Sequence, residues 1–320
     1  MSDRGTTTGR RLEPRTYAAI CLFALASLVV IVVTGALVRL TGSGLGCSDW
    51  PRCSDTRFVD VSSGHTAIEQ LNRLFTGVVA IAVMLAVLGS LLRSPRRRDL
   101  VWLSLGLVAG VLGQIVLGGI TVLVDLHPAA VQSHFLLSMV LVADAFVLWR
   151  RAGEPDGAVR RQVVTDAHRR LAWAILAMSG VAIATGTVVT GTGPHGGDED
   201  ARRFGFEIGS VARIHGIAVN VTVVLALWLM WRLRHHDDRK VLGDPIGIFV
   251  FVAALQAGLG YAQYFTGVPV VLVTAHVVGA TAGWLAALNL ARSMSGVAPS
   301  PRGAAGAGPA GSVVQAVVPG

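Results

Sequence analysis

The sequence predicts an all-α polytopic membrane protein, with eight transmembrane helices arranged as two tandem, similarly oriented four-helix bundles. Three observations predict it. Of 320 residues, 52% are hydrophobic and only 14% charged, against roughly a quarter charged in a soluble domain, and the mean hydropathy is +0.61. The apolar residues gather in eight runs, each near the length of about 20 residues that crosses a bilayer's hydrocarbon core. The last four runs repeat features of the first four. A net charge of +8 would elsewhere point to nucleic acid, but here the basic residues form short clusters between apolar runs, which reads as membrane topology and not as a nucleic-acid surface.

The first run, residues 17–38, follows basic residues and has the look of a secretory leader. No small-residue cleavage site follows it and seven more runs do, so it is the first span. The others cover residues 68–92, 101–124, 129–148, 171–190, 208–233, 245–265 and 268–290, each bounded by charges, Gly or Pro. Twenty basic residues fall on one side of this arrangement, in the N-terminal tail, the loops after the second, fourth and sixth runs, and the C-terminal tail. Five fall on the other (Arg39, Arg52, Arg57, Arg202, Arg203), which places both termini in the cytoplasm. The expected division is a tail at 1–16, a first half at 17–150, a cytoplasmic linker at 151–170, a second half at 171–292 and a Gly/Ala/Pro/Ser-rich tail at 293–320, expected to be disordered.

The repeat is specific. Gln114-x3-Gly118 precedes His134, and Gln256-x3-Gly260 precedes His276, with 20 residues from Gln to His in both and an offset of 142. VTGALVRLTGSG near the first run resembles ATGTVVTGTG near the fifth, and an offset of 143 sets Asn72-Arg73 opposite His215-Gly216. Recurrent Gly and Thr are also what close helix packing requires, but the matched histidine spacing favours duplication. Four spans per half, an even number, give both halves one orientation.

Asn72, His134, His215 and His276 lie about five, six, eight and nine residues into runs that all enter from the outer side. At about 1.5 Å per residue they share a depth on the order of 10 Å below the outer interface. Ionisable groups there are functional candidates, against the plain reading of hydrogen-bonded packing residues. Haem fits them: paired imidazoles on facing helices ligate its iron axially, and an apolar bundle suits the macrocycle. A closed zinc site wants four converging N or S ligands, and no cysteine pair accompanies these histidines. Arg73 and Arg213 stand beside the candidate ligands and suit carboxylates such as haem propionates, or else form a structural ion pair or snorkel outward. Glu69 shares a helix face with Asn72 and either assists proton transfer or pairs with Arg73. Cys47 and Cys53 lie in the first outer loop, an oxidising location that favours a structural or redox disulfide over two free thiols; Cys21 reads as packing. His65 and His127 sit near outer helix starts, and His168, His195, His235 and His236 read as solvated loop residues.

The run TGALVRLTGSGLGCSDWPRC, then HTAIEQLNRL, then single histidines in the fourth, sixth and eighth runs, resembles the haem A synthase family of cytochrome oxidase assembly enzymes, over roughly residues 17–290. The resemblance implies two similar four-helix halves and conversion of haem O to haem A by oxidation of the C8 methyl group to a formyl group. It implies that His215 and His276 ligate a haem b cofactor, with Arg213 nearby. His134, with Asn72 and Arg73, would serve the haem O substrate site, Glu69 would be required for activity, and Cys47 and Cys53 match the family's outer-loop pair. One departure stands out: where the family pattern is Glu-x-x-His-Arg, this chain has Glu69-Gln70-Leu71-Asn72-Arg73. Asn is a poor iron ligand, so either His134 holds the substrate iron alone or the first half works differently.

The resulting expectation is a cell-membrane oxidoreductase with haem b as electron-transfer centre. Its partners are haem O, haem A and the lipid bilayer, with the haem O-producing enzyme and oxidase assembly components as pathway neighbours. Two other classes stay open. A non-catalytic haem-binding electron carrier or assembly factor would bind haem without converting it. A small-solute transporter would place its polar residues at broken helices in mid-membrane, and here they cluster near the outer side.

Overall fold

A computed structural model of the chain describes residues 11–298. Its helices are α1 (Pro14–Leu40), α2 (Gly64–Leu92), α3 (Arg98–Leu123), α4 (Pro128–Ala152), α5 (Asp166–Thr192), α6 (Ile208–Arg232), α7 (Arg239–Phe265) and α8 (Val270–Ser293), all long and apolar enough to cross a membrane. The protein is therefore an all-α, multi-pass membrane protein. Most helices outrun their apolar stretches because a polar first or last turn closes the same hydrogen-bond ladder without adding to hydropathy. Pro14 and Pro128 sit in first turns, where a missing N–H is harmless. Ser63 and Thr66 form a reciprocal cap on α2, and Glu207 accepts the N–H groups of Gly209 and Ser210 at the start of α6. α7 departs most from expectation: it begins at Arg239, so Pro245 lies inside the helix and removes one ladder bond without ending it.

Sequential helices pack as antiparallel hairpins, α1 on α2, α3 on α4, α5 on α6 and α7 on α8. α1 then packs on α4, and α5 on α8, while α4 meets α5 and α8, and α1 meets α8, across the middle. The internal repeat reaches the turns. Leu126 donates its N–H to the Thr121 carbonyl (2.8 Å), and Val268, an offset of 142 later, donates to that of Gln263 (2.7 Å). Both sit at positive φ, 54° and 53°, a conformation that bulky residues adopt only under tertiary constraint.

Two apolar cores hold the bundle. One contains Tyr17, Leu28, Leu100, Leu107, Val142 and Leu148; the other Ile175, Leu229, Leu242, Ile246 and Leu290. Both lie toward the helix ends that carry the basic clusters, and the opposite ends are left less tightly filled. At the basic end, strand β1 (Val159–Gln162) pairs antiparallel with β2 (Ser295–Ala298). This corrects the expectation of a disordered tail from residue 293 for its first residues: the α4–α5 connection supplies them with backbone partners. Residues 299–320 of that tail lie outside the described residues.

His168 is also corrected. It is buried, not solvated, and its Nδ1 lies 2.6 Å from Asp238 Oδ2, which also accepts the Thr165 N–H and hydroxyl (both 2.9 Å). His236 stands edge-on to His168. The cluster ties the start of α5 to the start of α7. Burial works against the charged Asp238 carboxylate, yet its hydrogen bonds from His168 and Thr165 and the nearby His236 hold it below the usual carboxylate range. Asp238→Ala, which leaves those donors unmatched, is expected to destabilise the protein by about 1–3 kcal/mol at pH 7, read by thermal unfolding in detergent. A depressed folded pKa gives stability that is present above the unfolded carboxylate pKa and lost as pH falls through the folded one. The deficit should therefore hold at neutral pH and shrink only below about pH 4.

Candidate functional site

Polar side chains in the less tightly filled half of the bundle are arranged by a local device used four times. On α3, Gln114 Nε2 donates to the His134 carbonyl (3.1 Å) and to Ser138 Oγ (2.7 Å) on α4, and Gly118 faces the His134 ring, where a Cβ would come within 3.4 Å. On α7, Gln256 Nε2 donates to the His276 carbonyl on α8 (2.9 Å), and a Cβ on Gly260 would come within 3.6 Å of that ring. On α5, Thr185 Oγ1 lies 3.2 Å from His215 Nδ1 on α6, and a Cβ on Gly186 would come within 3.1 Å of that ring. On α1, Thr34 donates its hydroxyl to Asn72 Oδ1 on α2 (2.8 Å), beside Gly35. The 20-residue spacing from Gln to His thus measures one helical hairpin, and Asn72 occupies the position in the first half that His215 occupies in the second.

All four residues line one cavity of about 730 Å³ that extends through both halves of the molecule. Its wall is mostly apolar, with Leu28, Val79, Phe135, Ile183, Val252 and Trp284 among its members. The His215 and His276 rings face each other with centroids 6.5 Å apart and planes at 77°. That centroid separation is about what one metal ion bonded to both rings at about 2 Å requires. His134 and His276 each carry a buried Nδ1 with no partner among the described residues, so neither ring is consumed by internal hydrogen bonding. Two imidazoles on facing helices within an apolar wall are a donor set that suits haem iron.

The loop between α1 and α2 closes over the cavity on the side of Asn72. Cys47 and Cys53 form a disulfide, and the Cys47 N–H donates to Glu69 Oε2 (2.7 Å). Glu69 is buried and paired through its other oxygen with Arg73 Nε (2.9 Å). Arg73 Nη1 in turn holds the carbonyls of Asp49 and Arg52, and its guanidinium lies 5.5 Å from the centre of the Trp50 ring. Trp50 lines the cavity and packs so closely on Gly119 that an added Cβ would lie 2.6 Å from its ring.

Of the other residues singled out by sequence, Arg213 is exposed on α6 and does not line the cavity. His65 bonds Ser43 (2.9 Å), His127 caps α4, and His195 is partly buried, with Nε2 against the Val268 carbonyl (2.8 Å). Arg39 is a cavity residue that the sequence reading passed over as an outer-loop cation. Its signal was its place inside the repeated VTGALVRLTGSG segment.

A family model for cytochrome oxidase assembly proteins (COX15-CtaA) matches residues 18–63 and 57–194. The chain belongs to this family. Relatives named heme A synthase extend the likeness further along it. That of Listeria welshimeri is 26% identical over 269 residues, covering 78% of this chain and 86% of the relative. That of Exiguobacterium sibiricum is 26% identical over 180 residues (56% and 61%), and that of Bacillus pumilus 34% identical over 123 residues (38% and 40%). The names of these relatives make haems the molecules handled.

The Glu69–Arg73 pair gives a direct test of this wall. Arg73→Gln strands a buried carboxylate and is expected to cost about 3–5 kcal/mol, whereas the double variant Glu69→Gln/Arg73→Gln should recover most of that loss. Equal thermal destabilisation of the single and double variants would show that the pair does not carry the loop.

Proposed function

We propose that the protein is a haem A synthase that oxidises the C8 methyl group of haem O to the formyl group of haem A, for use in cytochrome oxidase. The observation that carries this reading is an asymmetry between two equivalent positions on one cavity. The second half offers two facing imidazoles, which suits a resident cofactor. The first half offers one imidazole and one amide, which suits a substrate that must enter, react and leave.

In this reading the halves at 17–150 and 171–292 divide the labour, and His215 and His276 hold the iron of haem b. When bound, that haem supplies one-electron transfer. The chain's own groups do the rest. His134 holds the iron of haem O. Thr34 occupies Asn72 Oδ1, which directs the amide N–H donors of Asn72 toward substrate. Glu69, on the substrate side of the cavity and fixed by Arg73 and the Cys47 N–H, assists proton movement. The disulfide-closed loop and Trp50 limit water at the outer mouth. The excess of basic residues at one end supports placing both termini in the cytoplasm.

The test is extraction and mass analysis of haems from membranes of a host that makes haem O, with and without the protein. Haem A should appear with it, and should fall by about 10²-fold or more with Glu69→Gln if that side chain moves a proton. Haem O left unconverted despite good expression and a working electron supply would leave a haem-binding protein without this activity. His276→Ala should abolish the low-spin haem b spectrum; its retention would remove His276 from the ligand set. Asn72→His should create a second low-spin site once haem O is supplied, measured by electron paramagnetic resonance, and should slow conversion by holding the substrate iron from both sides.

A further inference from the structure

Three charged side chains line the cavity: Arg39, Glu69 and Arg73. Glu69 and Arg73 pair with each other and cancel. Arg39, in the last turn of α1, has no carboxylate within ion-pair distance among the described residues. Its Nε donates to the His195 carbonyl (2.9 Å) and its Nη2 to the Thr190 carbonyl (3.3 Å), while Nη1 has no protein partner among the described residues. Its stem packs on Gly197, where a Cβ would lie 3.5 Å from Arg39 Cγ. The guanidinium is therefore held from behind, by carbonyls of α5 and the loop after it, and is oriented before any ligand arrives. Carbonyls at a helix C-terminus offset only part of a full positive charge, and the remainder of the surrounding wall is largely apolar. A cation so placed is complemented by an anion, and a planar, pre-oriented guanidinium matches a carboxylate.

Neither arginine that the sequence placed beside the candidate ligands meets these conditions. Arg73 spends its nitrogens on Glu69, Asp49 and Arg52, and Arg213 is exposed away from the cavity. We infer that Arg39 is the carboxylate-binding residue of the cavity and takes a propionate of the haem bound there. The inference rests on the haem reading above. Because Arg39 stands where α1 of the first half meets the carbonyls of the second, that carboxylate belongs either to substrate haem or to the resident one, and the backgrounds used in the test separate the two.

The test is titration of the full-length protein, produced in a haem-deficient host and kept in detergent, with ferric protoporphyrin IX and with its dimethyl ester, followed by Soret absorbance. The wild type should bind the free acid roughly 10- to 100-fold more tightly than the diester, the span expected for a charge-assisted hydrogen bond in a poorly solvated site. Arg39→Gln should bind the diester as the wild type does and lose the preference for the acid, and Arg39→Lys should keep part of it. Repeating the series with His276→Ala, and separately with His134→Ala, identifies the haem concerned as the one whose removal abolishes the Arg39 effect. A full preference retained by Arg39→Gln, an absent preference in the wild type, or diester binding lost together with acid binding in Arg39→Gln would each overturn the inference, the last by making Arg39 structural. Binding of neither porphyrin by the wild type would overturn the haem reading itself.

Discussion

An imidazole inside a bilayer needs room on the neighbouring helix and a fixed position on its own. Here glycine provides the room and a single hydrogen bond between helices provides the position: Gln114 and Gln256 bond the backbone at His134 and His276, and Thr185 bonds the His215 ring. Much else follows from this pairing. A glycine opposite a ring brings two helices close at one level and leaves them unable to fill the space beside it, so the half of the bundle away from the basic clusters contains a cavity. The apolar cores around Leu107 and Val142, and around Ile175 and Leu242, lie at the other end, where no such ring must be accommodated and side chains can pack to ordinary density.

Duplication supplies the scaffold twice, and the copies differ in the groups they present to the cavity. Asn72 and His215 are held by equivalent threonines, yet one presents an amide and the other an imidazole. Thr34 donates to the Asn72 amide oxygen, whereas the Thr185 hydroxyl, with the Val181 and Ala182 carbonyls as its own acceptors (2.9 and 3.0 Å), can accept from His215 Nδ1–H and leave Nε2 without a proton, so the scaffold tolerates the exchange. Only the imidazole has a nitrogen suited to iron. The first half also carries the disulfide-closed loop, joined to α2 through Glu69 and Arg73, and so encloses its side of the cavity differently from the other.

Polar contacts join the halves alongside the apolar packing of Ile183, Leu285 and Leu288 on the first core. Trp284 Nε1 donates to the Met139 carbonyl (3.0 Å), Gln132 Nε2 to that of Ala184 (3.3 Å), and Gly44 N–H to that of Gly197 (2.8 Å), with Arg39 at the same seam. In lipid there is little hydrophobic drive to bring helices together, so such bonds and close packing carry association. They also place the candidate ligands of both halves on one cavity wall, within a single continuous space.

The sequence by itself determined the spans, the repeat and the shared level of the four polar residues along their helices. These are properties of periodicity and spacing along a chain that must match a bilayer of fixed thickness. It also brought out Glu69, Cys47 and Cys53 through local motif. It misplaced the start of α7, because hydropathy ignores a polar first turn, and it left His168 in a loop, because its partner Asp238 lies 70 residues away. Which arginine lines the cavity without a carboxylate partner among the described residues was decided only by tertiary structure. Arg39, Arg73 and Arg213 have the same side chain, and closeness in sequence to a candidate ligand favours Arg73 and Arg213 over Arg39. One is neutralised by a carboxylate on its own helix, one turns outward, and one is held by backbone carbonyls from the other half of the molecule. Those environments are made by packing between helices, and no spacing along the chain encodes them.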